Sequence, residues 1–318
     1  MSNIPTCIIG SSHITAPVAT GGHDPDKYAE VGSFTKVITG TILEQLAREG
    51  VLTVDDPVER WLDIPAGSGI TLQHLAEHTS GLPRVPPGTT NINPYKRFSD
   101  DRLRVLLTAG LDRLTTAPAG EREEYSNFGY AVLGAALTAA SSQEYSDLVA
   151  THVLSPLGLP PEAMTAHPPE HRRSLASGWF GRSVKPWDMT GAILPAGGLW
   201  ATPRTVARVL TGLVLDRTLG EPSLSWQRTG PLPLMWHNGG TRRSTIFAGA
   251  VPDGRWIVVH RLHGSVEETD RVGLGHLRAA TALSETTQPG DFSHADRRQR
   301  GERVCQGTRA RHDPNERP

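Results

Sequence analysis

In the stretch EVGSFTKVITGTI, residues 30–42, Ser33 and Lys36 stand three positions apart at the start of an apolar run. If the run is helical, three residues make about one turn and the two side chains share a face. A serine at a helix start has free backbone N–H groups and the positive end of the helix dipole beside it. A hydroxyl next to an amine in such a place is a nucleophile next to a proton acceptor, provided the amine is neutral. Burial against Ile38 and Ile42 disfavours the ammonium form and lowers a lysine pKa. Arginine cannot serve, because its guanidinium keeps its proton in proteins. The choice of lysine has weight in this chain. Of its 32 Lys and Arg residues only Lys27, Lys36, Lys96 and Lys185 are lysines, and S-x-x-K occurs once. The competing structural reading makes Ser33 a plain helix cap and Lys36 a side chain that snorkels to solvent.

The longer segment VGSFTKVITGTILEQLAREGVLTVDDPVERWL, residues 31–62, resembles the first motif region of the serine β-lactamase and penicillin-binding protein superfamily, in its class C-like branch. The resemblance implies two more elements further along, and both are found in family order. GEREEYSNFGYAVLG supplies Tyr125, Ser126 and Asn127 as a Y-x-N triplet. It implies that Tyr125 shares protons with Ser33, Lys36 and the leaving group, and that Asn127 holds the lysine and a substrate amide. Asn127 would also cap the helix that follows. MWHNGGTRRSTIFAGAVPDGRWIVV supplies His237, Asn238 and Gly239 as the strand triplet, followed by Gly240. A glycine-bearing strand lets a substrate backbone approach closely. The resemblance implies that the N–H groups of Ser33 and Gly240 form an oxyanion hole, with His237 adding positive character or a proton. The rival reading of the triplet is a hairpin turn at Asn238-Gly239. Arg242 and Arg243 stand where the family has small residues; they reshape the pocket or bind a substrate carboxylate, unless they are solvated edge charges.

One other pattern competes. HLAEH, His74 to His78, fits H-x-x-E-H, in which two histidines on one helix face bind zinc and Glu77 acts as base. Such a site needs a third ligand, and no candidate announces itself. No metal and no cofactor are therefore expected. G-x-S-x-G is absent from the chain, which disfavours an α/β-hydrolase.

These groups need a scaffold, and 318 residues suffice for one large domain. A helix from Ser33 ends at Gly50 as a left-handed cap; further helices follow from Thr71, from Ser99, over NFGYAVLGAALTAAS and over 144–158. After about residue 175 the texture changes to strands parted by Gly and Pro turns, at ASGWFG, GGLWATP, PLMWHNGG, STIFAGAVP and RWIVVHRLHG. A helix capped by Thr202 with Pro203 at its first position lies between them, and SVEETDRVGLGHLRAATALSE forms a terminal helix. The expected fold is α/β (α+β): an antiparallel sheet flanked by helices, plus an all-helical region, of the β-lactamase/transpeptidase type. One catalytic domain would occupy 1–287, with a helical region at about 70–165 inserted between sheet regions 1–60 and 175–287, and a disordered polar tail over 288–318. Only 32 residues precede Ser33, fewer than the helix and two strands usual in the family, which predicts a sheet lacking part of its edge.

A net charge of −1 gives no field for nucleic acid or an anionic membrane, so neither is an expected partner. Two cysteines, Cys7 and Cys305, make no disulfide framework, and no apolar run is long enough to span a bilayer. The expected location is the cytoplasm. The resemblance implies a serine hydrolase that cleaves an amide or ester of a small-molecule or peptide acyl substrate through an acyl-Ser33 intermediate, as an esterase, D-amino-acid peptidase or β-lactamase does. An acyltransferase or transamidase on the same serine, and a silent relative that only binds ligands, are the alternatives.

Overall fold

The computed structural model describes residues 4–12, 14, 17–89, 93–178, 183–229 and 233–286. In chain order its elements are β1 (Thr6–Gly10), β2 (Val18–Thr20), β3 (Ala29–Glu30), α1 (Thr35–Arg48), α2 (Leu72–Ala76), α3 (Asp100–Thr108), α4 (Asn127–Ser141) and α5 (Tyr145–Val149). There follow β4 (Met164–Thr165), α6 (Leu194–Gly197), β5 (Trp200–Ala201), α7 (Pro203–Leu210), β6 (Gln227–Thr229), β7 (Leu234–Gly240), β8 (Ser244–Ala250), β9 (Trp256–Leu262) and α8 (Val266–Thr286).

Side chains alternate across a strand, and β8 is buried at every position and β9 at five of seven, so both faces of their sheet are covered. Ile246, Ala248, Ala250 and Val258 face a core shared with α1, α4 and α7. Phe247, Ile257 and Val259 face the other way, into a second core with Leu277 of α8. The sheet is antiparallel, in the order β2-β1-β9-β8-β7-β6. A small second sheet, β3-β5-β4, holds the segment that enters the serine turn. The two strands β1 and β2 are present before Ser33, so the expectation of missing sheet strands is corrected: β1 pairs with β9 along its whole length.

The helix α1 is buried nearly all round over its first nine residues, and so passes through the core rather than over it. Its mid-helix Gly40 is explained by packing, since a Cβ there would lie 1.9 Å from Ser225 Oγ. The helix closes at Gly50, with φ +72°, as the sequence predicts. Gly134 of α4 similarly admits Pro195, whose Cγ would be 2.1 Å from an added Cβ. Thr202 caps α7 with Pro203 at the first turn, and Ser99 caps α3, both as expected. No helix among the described residues is long and apolar enough to cross a membrane. Of the strand expected at 176–181, residues 179–181 lie outside the description, and Ser177 makes an isolated bridge with Ser183. The tail expected at 288–318 also lies outside it.

Candidate active site

Ser33 sits in a single 3-10 turn, Gly32–Phe34, that leads into α1; the regular helix starts at Thr35, two residues later than the sequence predicts. Gly32 turns the chain at φ +51°, in the left-handed region that favours glycine. The Ser33 side chain caps nothing. Its Oγ instead lies 3.2 Å from Lys36 Nζ and accepts from Tyr125 OH at 2.5 Å.

Lys36 is fully buried, which removes the snorkelling alternative. Its Nζ also contacts Asn127 Oδ1 at 2.7 Å and the Ala196 carbonyl at 2.6 Å. Burial, and secondarily the Arg84 guanidinium, hold this amine well below the ordinary lysine range. A neutral amine has two hydrogens and one lone pair. Asn127 Oδ1 and Ala196 O can only accept, so they take the two hydrogens. In the protonated form Nζ donates its third hydrogen to Ser33 Oγ, whereas in the neutral form the lone pair is left for Ser33, whose hydroxyl then donates to it. Burial pushes Tyr125 up to about 12, so its phenol stays protonated and donates to Ser33 Oγ at neutral pH.

Asn127 reaches Lys36 because another residue does the capping. Ser126 Oγ accepts from Gly129 N–H at 2.7 Å and is the cap of α4, which corrects the capping role expected of Asn127. The Asn127 amide N–H₂ donates to Tyr95 OH at 2.6 Å, so in this state it is not turned to a substrate. Tyr95 was missed in the sequence, as was Arg84, whose guanidinium stands 4.9 Å from the Tyr125 ring centre. Both lie in the polar 84–97 loop, where no periodicity or motif marks them. Ala196 contributes only a carbonyl, which no side-chain pattern can signal.

The zinc reading of HLAEH does not survive. The helix α2 ends at Ala76, and His78 adopts φ +61°, so the two histidines share no helix face. His74 Nδ1 accepts from Thr71 N–H in a capping box. His78 Nδ1 accepts from Ser126 N–H at 3.1 Å, and burial lowers this ring to about 2, so it stays neutral. It packs 4.6 Å from the Tyr125 ring and props it.

The strand β7 forms the opposite wall. Asn238-Gly239 is strand interior, not a turn: the ladder with β8 runs from Met235 through Gly240, and the reversal comes at 241–243. A Cβ on Gly239 would lie 2.2 Å from Val31 O and 3.0 Å from Ser33 N, so only glycine lets the strand touch the serine turn. Thr241 N–H bonds Ser244 O across the hairpin. The alternation of an antiparallel ladder then turns the Gly240 N–H to the opposite edge, and Gly240 N lies against Gly32, 2.9 Å from where a Cβ there would be. The side chains behave differently. Burial lowers His237 to about 4, and its Nδ1 contacts Asn238 O, so the expected positive character is corrected to a neutral imidazole. Asn238 is diverted from the cleft: its amide donates to Asp270 of α8 at 2.7 Å. Arg242 and Arg243 are exposed, and Arg242 donates to the Lys185 carbonyl at 3.3 Å.

This fold is shared with solved enzymes. The β-lactamase/D-alanine carboxypeptidase of Yersinia pestis superposes with TM-score 0.69 at 21% identity, over 87% of this chain and 93% of that one. The class C β-lactamase of Rhodobacter sphaeroides superposes with TM-score 0.70 at 18% identity, over 88% and 96%. The architecture is thus that of the β-lactamase/transpeptidase class, class C-like. By sequence the chain belongs to the Beta-lactamase family, whose profile matches residues 10–282. A relative in Escherichia coli K12, D-alanyl-D-alanine-carboxypeptidase/endopeptidase AmpH, is 31% identical over 191 residues, which is 58% of this chain and 48% of that protein. The chain spans about half the length of that curated relative.

Proposed function

We propose that the chain is a serine hydrolase acting on an amide or ester of a small-molecule or peptide acyl substrate, through an acyl-Ser33 intermediate. The observation that carries this is the set of contacts at Lys36: two fixed acceptors and Ser33 Oγ at 3.2 Å surround Nζ, so that in the neutral amine the lone pair faces the Ser33 hydroxyl. The Ser33 proton passes to Lys36 Nζ as Ser33 Oγ attacks the carbonyl carbon. The N–H groups of Ser33 and Gly240 hold the resulting oxyanion. The C–N or C–O bond breaks, and the leaving group takes a proton from Lys36 by way of Tyr125. Water then attacks the acyl carbon, gives its proton to the same pair, and releases the acid and Ser33. The peptidase name of the Escherichia coli relative favours D-peptide amides and related esters over β-lactams.

A fluorophosphonate probe with mass spectrometry of the labelled peptide tests this. Label is expected on Ser33 and absent from Ser33→Ala; a folded wild-type protein that takes no label there defeats the proposal. Ester turnover with and without an added amine separates hydrolysis from acyl transfer.

A further inference from the structure

Beside the serine turn lies a cavity of about 430 Å³ that the mechanism above does not use. Its wall includes Glu30 and Gly197, and a Cβ on Gly197 would be 3.5 Å from the Gly32 carbonyl carbon, so this part of the wall packs on the backbone of the turn that carries Ser33. Four cationic residues line it: Lys96, Arg173, Lys185 and Arg242. They come from four separate parts of the chain, and two of them are among its four lysines. Among the described residues none of the four is ion-paired. Arg173 donates to Pro168 O and lies 5.6 Å from the Trp200 ring centre, and Arg242 donates to Lys185 O. Neither contact neutralises charge.

Two carboxyl groups share the cavity. Asp188 accepts from the Thr190 hydroxyl at 2.7 Å. Glu30 accepts from the Thr241 hydroxyl at 2.9 Å, and burial pushes it up to about 7, so near neutrality it is partly protonated. The balance is cationic, and like charges around one concave space focus an attractive field for an anion. Trp187 and Met189 give the same wall an apolar stretch that fits methylene groups.

We propose that this cavity receives an acyl group bearing its own carboxylate at the far end, so that the enzyme prefers mono-esters or mono-amides of dicarboxylic acids. The proposal rests on the acyl-Ser33 reading and extends it to substrate class. It is tested with two p-nitrophenyl esters of equal chain length, the mono-ester of glutaric acid and the ester of pentanoic acid. The wild type is expected to favour the acidic ester by at least about tenfold in kcat/KM, with 0.5 M salt eroding the preference. The double variant Lys96→Gln/Lys185→Gln is expected to lower that ratio at least about tenfold. A smaller wild-type preference, or one that the double variant keeps, overturns the proposal. Calorimetric titration of glutarate into Ser33→Ala probes the cavity without catalysis. Binding that weakens at least about tenfold when both lysines are replaced supports the proposal. No binding, or binding indifferent to the lysines, overturns it even if Ser33 acylates normally. Failure of Ser33 to label, with lysine-dependent glutarate binding intact, would instead fault the hydrolase reading.

Discussion

The wall of the site built by α1 and α4 differs in kind from the wall built by β7. On the helical side the chemistry is carried by side chains: Lys36, Tyr125 and Asn127 are joined by hydrogen bonds of 2.5 to 3.2 Å that meet at Ser33 or at the amine. On the strand side the side chains are withdrawn. Asn238 bonds Asp270, His237 Nε2 is buried without a hydrogen-bond partner among the described residues, and what faces the serine is glycine backbone. The first wall is tuned by desolvation, which sets proton affinities. The second is tuned by volume, which sets how closely two N–H groups can approach. They should therefore break in different ways: the helical wall by changes of proton affinity at constant shape, the strand wall by a single added carbon.

Lys36→Arg gives the largest expected effect. It keeps hydrogen-bond donors but carries a permanent positive charge, with no lone pair to receive the Ser33 proton. Loss of a positioned general base costs about 10²–10⁴ in rate. We expect Ser33 labelling by fluorophosphonate to slow by about 10³, with the circular dichroism spectrum retained. Wild-type labelling speed in a folded variant would refute the role of the helical wall. Gly239→Ala comes next. Its Cβ would meet Val31 O at 2.2 Å, so β7 must move off the serine turn and carry the Gly240 N–H with it. Loss of one oxyanion donor costs about 10²–10³, and kcat/KM should fall by about 10². The acid limb of the pH–rate profile should stay where it is, because no charge near Lys36 has changed; a shifted limb would mean the two walls are not separable.

How much of this was legible beforehand differs between the walls as well. Ser33, Lys36 and Tyr125 announce themselves, because a side chain that does chemistry is also a letter in the sequence. So do Gly239 and Gly240, since glycine pairs inside a β pattern are unusual. The long elements were legible for the same reason: the apolar periodicity of 35–48 and the apolar runs between turns over 244–262 are the packing itself. What could not be read has three physical sources. Ala196 acts through a carbonyl that every residue has. Tyr95 and Arg84 act from a loop whose path is fixed by tertiary contact, not by local pattern. The strands β2, β4 and β6 are two or three residues long, too short for alternation to register. Asn238-Gly239 misleads in the other direction. Its turn propensity is real, but β7 packs against both β8 and the serine turn, and tertiary contact overrides it.

A finer probe of the helical wall is Arg84. Its positive charge is the second cause, after burial, of the depressed Lys36 pKa. Arg84→Met keeps much of the stem and removes the charge, so protonating Lys36 becomes easier and its pKa rises. The neutral amine is the active form, so activity is lost as pH falls through that pKa. The acid limb should accordingly move to higher pH in Arg84→Met. The rate on the alkaline plateau should hold within about threefold. An unmoved limb would show that burial alone tunes the amine, and a limb that moves to lower pH would refute the role given to Arg84.

The smallest effect belongs to the strand wall and concerns stability. Asp270 accepts from Asn238 through Oδ2, while its Oδ1 is buried without a partner among the described residues. Burial raises Asp270 to about 6; the Asn238 hydrogen bond opposes the rise and Glu267 adds to it. Between about pH 4 and pH 6 the folded chain therefore holds a proton that the unfolded chain has lost. The folded state binds more protons there, so stability falls as pH rises through that window and stays lower above it. Asp270→Asn keeps an oxygen to accept from Asn238 and carries no charge. Urea unfolding should find the variant more stable than wild type at pH 8, by about 1 kcal/mol after allowance for partial exposure of the group. At pH 4 the difference should shrink toward zero, because wild-type Asp270 is then protonated in the folded chain. Ser33 labelling should change less than about threefold, since Asn238 and Asp270 face α8 and not the cleft. An equal gain at both pH values would mean that packing, not charge, holds this side of the strand.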